Sequence, residues 1–145
     1  MFFGIDLTSK EAKPSACFCL SDRLEVIYYG LPNTDSDIAT QVSRCSPQVI
    51  AIDAPLSLPS GLCCLEENCA CQPESACKGR QCERELAKAG IPCYFTTKRS
   101  IIKEMIYRGM KLRTELSERN FKVIEVYPYA SKVRLFSKPI PSKRP

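Results

Sequence analysis

The segment over residues 49–61 constrains the fold more than any other part of the chain. It reads Val-Ile-Ala-Ile-Asp-Ala-Pro-Leu-Ser-Leu-Pro-Ser-Gly, so an apolar run leads into Asp53 and then into two prolines. An unbroken apolar run is typical of a strand that is buried on both faces of a parallel sheet. Because Pro55 and Pro59 cannot continue a strand, we expect Asp53 at its carboxyl end, where α/β proteins bind their ligands.

The N-terminus repeats this pattern, because Phe-Phe-Gly-Ile at residues 2–5 leads into Asp6. If the two segments form neighbouring parallel strands, their backbones lie about 4.8 Å apart. The sequence then predicts that Asp6 and Asp53 project together at one edge of the sheet.

The other apolar segments complete an α/β pattern. Runs at 16–20 and 25–29 extend the first strand into a meander, and a helix over 35–45 crosses over to the strand at 49–52. Helices over 80–88 and 98–119 precede a fifth strand over 122–127. We therefore predict a ribonuclease H-like three-layer fold with flanking helices. Its five-stranded mixed sheet would be a meander of three strands followed by two parallel strands.

A chain of 145 residues has the size of one domain. We expect a single ribonuclease H-like domain over residues 1–136, with an irregular cysteine-rich insertion at 60–82. Residues 137–145 are rich in proline and basic residues, and we expect them to form an extended tail.

Composition narrows the chemistry. The chain has no histidine, which excludes Ser–His and Cys–His catalysis. No segment is long enough to span a bilayer and no signal peptide precedes Met1, so we expect a cytoplasmic protein with no membrane partner. The net charge of +5 is compatible with a nucleic acid as partner.

Ten cysteines in a cytoplasmic protein favour thiols or metal ligands over disulfides, unless the source is a thermophile. We expect Cys17, Cys19 and Cys45 to be small apolar core residues. The other seven occur close together, and four thiolates can hold zinc or an iron–sulfur cluster. Their spacing matches no familiar CxxC pair, so both metals stay open. The candidate ligands are Cys63, Cys64, Cys69, Cys71, Cys77, Cys82 and Cys93.

The acidic residues predict a second type of metal site. Two-metal nucleases hold Mg²⁺ or Mn²⁺ with converging carboxylates, whose oxygens suit these hard cations. Asp6 and Asp53 have the right type and placement, and Glu125 interrupts an otherwise apolar strand. The alternative is that Asp ends these strands because it favours turns.

Four ordered motifs carry a resemblance that covers essentially the whole chain. They are Gly-Ile-Asp at 4–6, Ile-Asp-Ala-Pro at 52–55, Gly-Arg-Gln-Cys-Glu-Arg-Glu-Leu at 79–86 and Glu-Val-Tyr-Pro at 125–128. In these motifs the chain resembles the domain-of-unknown-function family 429, described as predicted nucleases with a ribonuclease H-like fold. The resemblance implies that Asp6 and Asp53 are metal ligands and that Arg80 and Glu125 line the same cleft.

The chain departs from this family pattern at two places. Glu83 stands where the family's arginine motif usually has Asp. The family's domains also continue into C-terminal helices, the last of which brings another acidic ligand in an Asp-Ala pair, whereas this sequence stops at Pro145. We expect a fragment of a longer protein, and the alternative is a truncated homologue with an incomplete site.

Two functions follow from these patterns. The first is a metal-dependent nuclease that hydrolyses phosphodiesters with Mg²⁺ or Mn²⁺, in which Asp6, Asp53, Glu125 and Arg80 form the catalytic site. The alternative is a cysteine-cluster protein that binds zinc or an iron–sulfur cluster and senses redox state or metal on a degenerate nuclease fold. The sequence leaves the substrate and the oligomeric state open.

Overall fold

A computed structural model describes residues 1–136, and the predicted tail at 137–145 lies outside them. The strands form one sheet in the order β3-β2-β1-β4-β5. β1, β2 and β3 are antiparallel neighbours, while β4 runs parallel to both β1 and β5. This confirms the predicted meander followed by two parallel strands. The strands are β1 Phe2–Asp6, β2 Ala16–Leu20, β3 Val26–Gly30, β4 Val49–Asp53 and β5 Val123–Glu125.

Helices connect and flank these strands, and the first of them makes the predicted crossover. Thr34 caps it in a reciprocal arrangement, since its hydroxyl accepts from the Asp37 backbone while the Asp37 carboxylate accepts from the Thr34 backbone. This cap fixes where the chain turns from β3 towards β4. The helices are α1 Asp35–Cys45, α2 Gln81–Lys88, α3 Lys103–Glu118 and α4 Pro128–Phe136.

Two predicted boundaries near the C-terminal half were wrong. α3 begins at Lys103 rather than at residue 98, because the preceding segment forms tight turns and leaves Ile101 82% exposed. β5 ends at Glu125, and Pro128 begins α4 instead of only ending a strand. Proline suits the first position of a helix because the amide it lacks has no partner there.

The core lies on one face of the sheet, under α1 and α3. Side chains alternate between faces along each strand, so Ile5 and Ile52 point into the core while Asp6 and Asp53 project from the opposite face. Besides the two isoleucines, the largest buried core side chains are Phe3, Ile38, Val42, Ile50, Leu112 and Leu116.

Two features of α3 fix the loops that follow β1 and β4. A Cβ atom added at Gly109 would lie 3.1 Å from both the Pro55 carbonyl oxygen and a Leu56 methyl group, so glycine allows α3 to approach the loop after Asp53 closely. The buried Arg108 donates to Asp35 Oδ1 at 2.8 Å and to the Thr8 carbonyl oxygen at 2.8 Å. α3 therefore braces both chain segments that follow the aspartates.

Candidate active site and metal centre

The carboxylates of Asp6 and Asp53 meet at the carboxyl ends of the two central strands. Each is the last residue of its strand, and the two are directly paired in the parallel register. Paired residues point to the same face of a sheet, so both side chains project from the same side. Burial, followed by the negative charge of Asp6, raises the pKa of Asp53 to about 6. Two carboxylates in this arrangement favour a proton or a cation between them.

A cleft of about 600 Å³ opens beside this pair. Its walls come from the ends of β1, β4 and β5, from α2, and from Arg134 of α4. Apolar side chains such as Ile91 and Met105 form part of the lining, and the aromatic ring of Tyr94 lies at the edge with 61% of its surface exposed. The volume lies in the range of sites that bind small ligands.

Glu125 lines the same cleft but is held differently from the aspartates. Its register partner is Ile52, so its side chain belongs to the opposite face of the sheet from Asp53. Both carboxylate oxygens accept hydrogen bonds from Arg80, at 2.7 Å each, and Oε2 also accepts from the Leu56 amide at 2.8 Å. These bonds occupy Glu125 as an ion-pair partner of Arg80.

Arg80 is the centre of a buried network. It is 9% exposed, precedes α2, and donates through Nε to Glu83 Oε1 at 2.8 Å and through Nη1 to Ser57 at 3.3 Å. Burial acts to lower the pKa of Arg80, but the hydrogen bonds to Glu125 and Glu83 outweigh it and raise that pKa. The guanidinium thus stays charged and joins the loop after β4, the start of α2 and the end of β5.

Glu83 completes this network from the first turn of α2. It is 2% exposed and accepts from the Arg80 amide at 2.9 Å, from the Thr96 amide at 2.8 Å and from the Thr96 hydroxyl at 2.5 Å. Burial acts to raise the pKa of Glu83, but the hydrogen bonds from Thr96 and Arg80 outweigh it and lower that pKa. Glu83 was not among the predicted site residues, although the Arg80–Glu83 spacing is the signal that could have indicated it.

Four of the seven candidate cysteine ligands lie together. The ligand atoms of this group are all within 4.8 Å of one another, and the sulfurs of Cys63 and Cys69 are 3.6 Å apart. Such a group of thiols could hold a metal ion such as zinc. Hydrogen bonds from the Cys64 and Cys63 backbones lower the pKa of Cys71 to about 6. The group, called the cysteine cluster below, consists of Cys63, Cys64, Cys69 and Cys71.

The structure places the other cysteines elsewhere. Cys82 and Cys93 line the cleft, and Cys77 is exposed outside the cysteine cluster. Cys17, Cys19 and Cys45 are buried in the core, as predicted. Of the seven predicted ligands, the structure thus brings four together and leaves Cys77, Cys82 and Cys93 apart from them.

The described residues form an α/β protein with a pair of carboxylates at a cleft and a separate cysteine cluster. The chain belongs to the DUF429 family, whose model matches residues 4–145 and carries the description "protein of unknown function". A search of curated proteins and a search of solved structures returned no match. Within residues 1–136, no helix combines the length and apolar character needed to cross a membrane.

Proposed function

We propose that this protein is a nuclease that depends on a divalent metal ion and hydrolyses phosphodiester bonds at the Asp6–Asp53 pair. The observation that carries the proposal is the direct pairing of these two aspartates at the strand ends beside a cleft of about 600 Å³. The ribonuclease H-like order of elements that the sequence predicts supports the same reading. A likeness of fold is weaker support than the site, because one fold serves many functions.

The two carboxylates fit a hard cation. Asp6 and Asp53 offer oxygen donors from adjacent strands, and the raised pKa of Asp53 reflects its burial and the repulsion that a positive charge relieves. These two residues would hold Mg²⁺ or Mn²⁺. When bound, the ion supplies Lewis-acid stabilisation of the charge that develops on the phosphate. Glu125 is not assigned as a ligand in this proposal, because Arg80 binds both of its oxygens.

The other residues of the cleft have supporting roles. Arg80 holds Glu125 and the loop that follows Asp53, so it is a positioning residue rather than a group that contacts substrate. Arg134 is exposed at the cleft and is available to a phosphate, while the exposed ring of Tyr94 is available to a base. We accordingly propose that the partner is a nucleic acid. The proposed location is the cytoplasm.

Cleavage assays test this function directly. Single-stranded DNA, duplex DNA, RNA and an RNA–DNA hybrid should be incubated with the full chain in Mg²⁺ or Mn²⁺. We expect cleavage of at least one substrate, and a loss of about 10²-fold or more in Asp53→Asn. Glu118→Gln, which removes a carboxylate from the surface of α3, should cleave like the wild type. Cleavage that survives in Asp53→Asn would exclude this aspartate from the reaction.

The cysteine cluster favours a second candidate function, which is metal or redox sensing on the same scaffold. Its supporting observation is the close approach of four thiols in an irregular loop. Elemental analysis and an absorption spectrum of protein purified without oxygen test it. Bound zinc or an iron–sulfur chromophore would support the candidate, and protein that contains neither would contradict it.

A further inference from the structure

The geometry of the cysteine cluster suits a single metal ion. Zn–S bonds of about 2.3 Å place the sulfurs of a tetrahedral site about 3.8 Å apart. The sulfurs of Cys63 and Cys69 are separated by 3.6 Å, and all four lie within 4.8 Å of one another. An iron–sulfur cluster distributes its thiolates over several iron atoms and needs more widely separated ligands. The observed distances therefore favour a single metal ion over a cluster, and zinc is the ion that closed tetrahedral four-cysteine sites typically hold.

The loop that carries these cysteines is closed at its base. The Glu74 amide donates to the Ser60 carbonyl oxygen at 2.9 Å, and Gly61 has a φ of +87° beside the Gln72 backbone. Between these points the chain has neither helix nor strand, and Leu65 is its one fully buried side chain. A closed loop with so little core gains most of its stability from a metal ion, when one binds.

Several contacts attach this loop to the chain before α3 and to α3 itself, and two of them involve the backbone of the loop. Lys98 Nζ donates to the carbonyl oxygen of Cys69 at 2.5 Å. The Leu65 amide donates to the Tyr107 hydroxyl at 2.6 Å, and that hydroxyl lies 3.1 Å from Glu66 Oε1. A zinc ion with four thiolates carries a net charge of −2, so the ammonium of Lys98 beside a ligand's carbonyl also stabilises it electrostatically.

Lys98 is two residues from Thr96, which supports the cleft network. Thr96 binds Glu83 through its amide and its hydroxyl, Glu83 binds Arg80, and Arg80 binds Glu125. A continuous series of hydrogen bonds and short chain segments thus connects the cysteine cluster with the wall of the cleft.

We propose that Cys63, Cys64, Cys69 and Cys71 bind one Zn²⁺, and that this ion fixes Lys98 and thereby holds Thr96 against Glu83. Each thiol that is protonated releases its proton to solvent when it binds the ion. Zinc is then a structural cofactor for one wall of the cleft. This inference does not rest on the nuclease activity, because both of its readouts are independent of catalysis. It gives the cysteine cluster a structural role in place of the sensing role of the second candidate function, and the hydrogen-exchange readout below tests that structural role.

The first experiment counts zinc in the full chain, purified with a reducing agent from zinc-containing medium. We expect one zinc per wild-type chain, loss of zinc in Cys69→Ser, and full zinc in Cys77→Ser, whose exposed thiol lies outside the cysteine cluster. Wild-type protein without zinc, or with iron and a visible chromophore, would overturn the proposal. Retention of zinc in Cys69→Ser would overturn the ligand assignment.

The second experiment measures amide hydrogen exchange at Thr96 and Arg80, whose amides both bind Glu83. Removal of zinc by a chelator should raise the exchange rates of both amides about tenfold, while the amides of β4 stay protected. Lys98→Met keeps all four thiols and should retain zinc, yet should show the same faster exchange. Unchanged exchange at Thr96 in zinc-free protein, or in Lys98→Met, would overturn the structural link. An equal increase of the exchange rates in β4 would contradict the proposal that zinc stabilises this wall of the cleft locally.

Discussion

Arg80 and Glu125 form a two-point ion pair, in which Nη1 and Nη2 each lie 2.7 Å from a different oxygen of the carboxylate. This geometry is the strongest form of Arg–carboxylate contact and fixes the orientation of both groups. It joins the start of α2 to the end of β5, and both groups also bind the loop that follows Asp53, through Ser57 and the Leu56 amide. The rigidity of the cleft wall therefore depends on a pair of residues that do not themselves need to meet the substrate.

The first prediction concerns this network. Arg80→Ala leaves the carboxylate of Glu83, which is 2% exposed, without its cationic partner. We expect a loss of about 3–5 kcal/mol in the free energy of unfolding, because an uncompensated buried charge is costly. Urea denaturation measures this value. Arg99→Ala is the matched control, since Arg99 is 88% exposed at its side chain and its loss should cost less than about 1 kcal/mol. Similar values for the two variants would contradict the role given to Arg80.

The second prediction concerns pH. Folding raises the pKa of Asp53 from 3.8 to about 6, mainly through burial. The protonated group therefore contributes stability that is fully present below about pH 4 and is lost as the pH rises through about 6. Because asparagine does not ionise, Asp53→Asn does not lose this contribution as the pH rises. Without added Mg²⁺ or Mn²⁺, the variant should be more stable than the wild type by about 1–2 kcal/mol at pH 7.5, after allowance for solvent screening.

Urea denaturation at several pH values tests this effect. The difference between Asp53→Asn and the wild type should shrink towards zero as the pH falls to about 4. A substitution that removes the proposed activity would then stabilise the fold, as is common where function requires an unfavourable arrangement of charges. A variant that is less stable than the wild type at pH 7.5 would contradict the raised pKa of Asp53, which comes first from burial and then from the charge of Asp6.

The third prediction concerns the buried pair of Arg108 and Asp35. Their side chains are 6% and 7% exposed, and Arg108 Nη2 is buried without a hydrogen-bond partner among residues 1–136. Asp35→Leu and Arg108→Met should each cost about 3–5 kcal/mol, because each leaves one charge unpaired. The loss of unfolding free energy in the double variant should be smaller than the sum of the two single losses by about 2 kcal/mol or more, because the double variant removes both charges. Additive effects in a double-mutant cycle would show that the pair is not energetically coupled.

The central sheet could be predicted because its signals are local. The apolar run before Asp53 indicates a buried parallel strand, and the similar run before Asp6 indicates its neighbour. Once these strands are adjacent and parallel, the aspartates at their ends lie side by side. Their proximity can therefore be predicted without knowledge of the rest of the chain. The register of β1 and β4 agrees with this expectation.

The role of Glu125 could not be predicted in the same way. Its side chain points to one face or the other according to the register of β5 on β4, and a shift of one residue would reverse the face. That register depends on contacts between segments distant in sequence, including the bond from the Leu56 amide. The family resemblance implied that Glu125 and Arg80 line the same cleft, but it did not reveal that Arg80 binds both carboxylate oxygens of Glu125.

Two other features could not be predicted from the sequence, namely which cysteines lie together and the helix α4. The spacing of the seven cysteines could not show which four lie together, because the loop that carries those four is irregular. Without a helical or strand period, the sequence does not indicate which side chains point the same way. Pro128 is compatible with the end of a strand and with the first turn of a helix, so α4, and with it Arg134 at the cleft, was not predicted.

The most direct test of the central claim is a count of Mn²⁺ ions bound to the full chain, measured by electron paramagnetic resonance of the free ion during titration at pH 7.5. Mn²⁺ prefers oxygen ligands to thiolates, so the cysteine cluster contributes little to the count. We predict at least one ion bound by the wild type and by Glu118→Gln, and none bound by Asp6→Asn or Asp53→Asn at the same concentrations. If the aspartate variants bind Mn²⁺ as the wild type does, or if the wild type binds none, the Asp6–Asp53 pair is not a metal site.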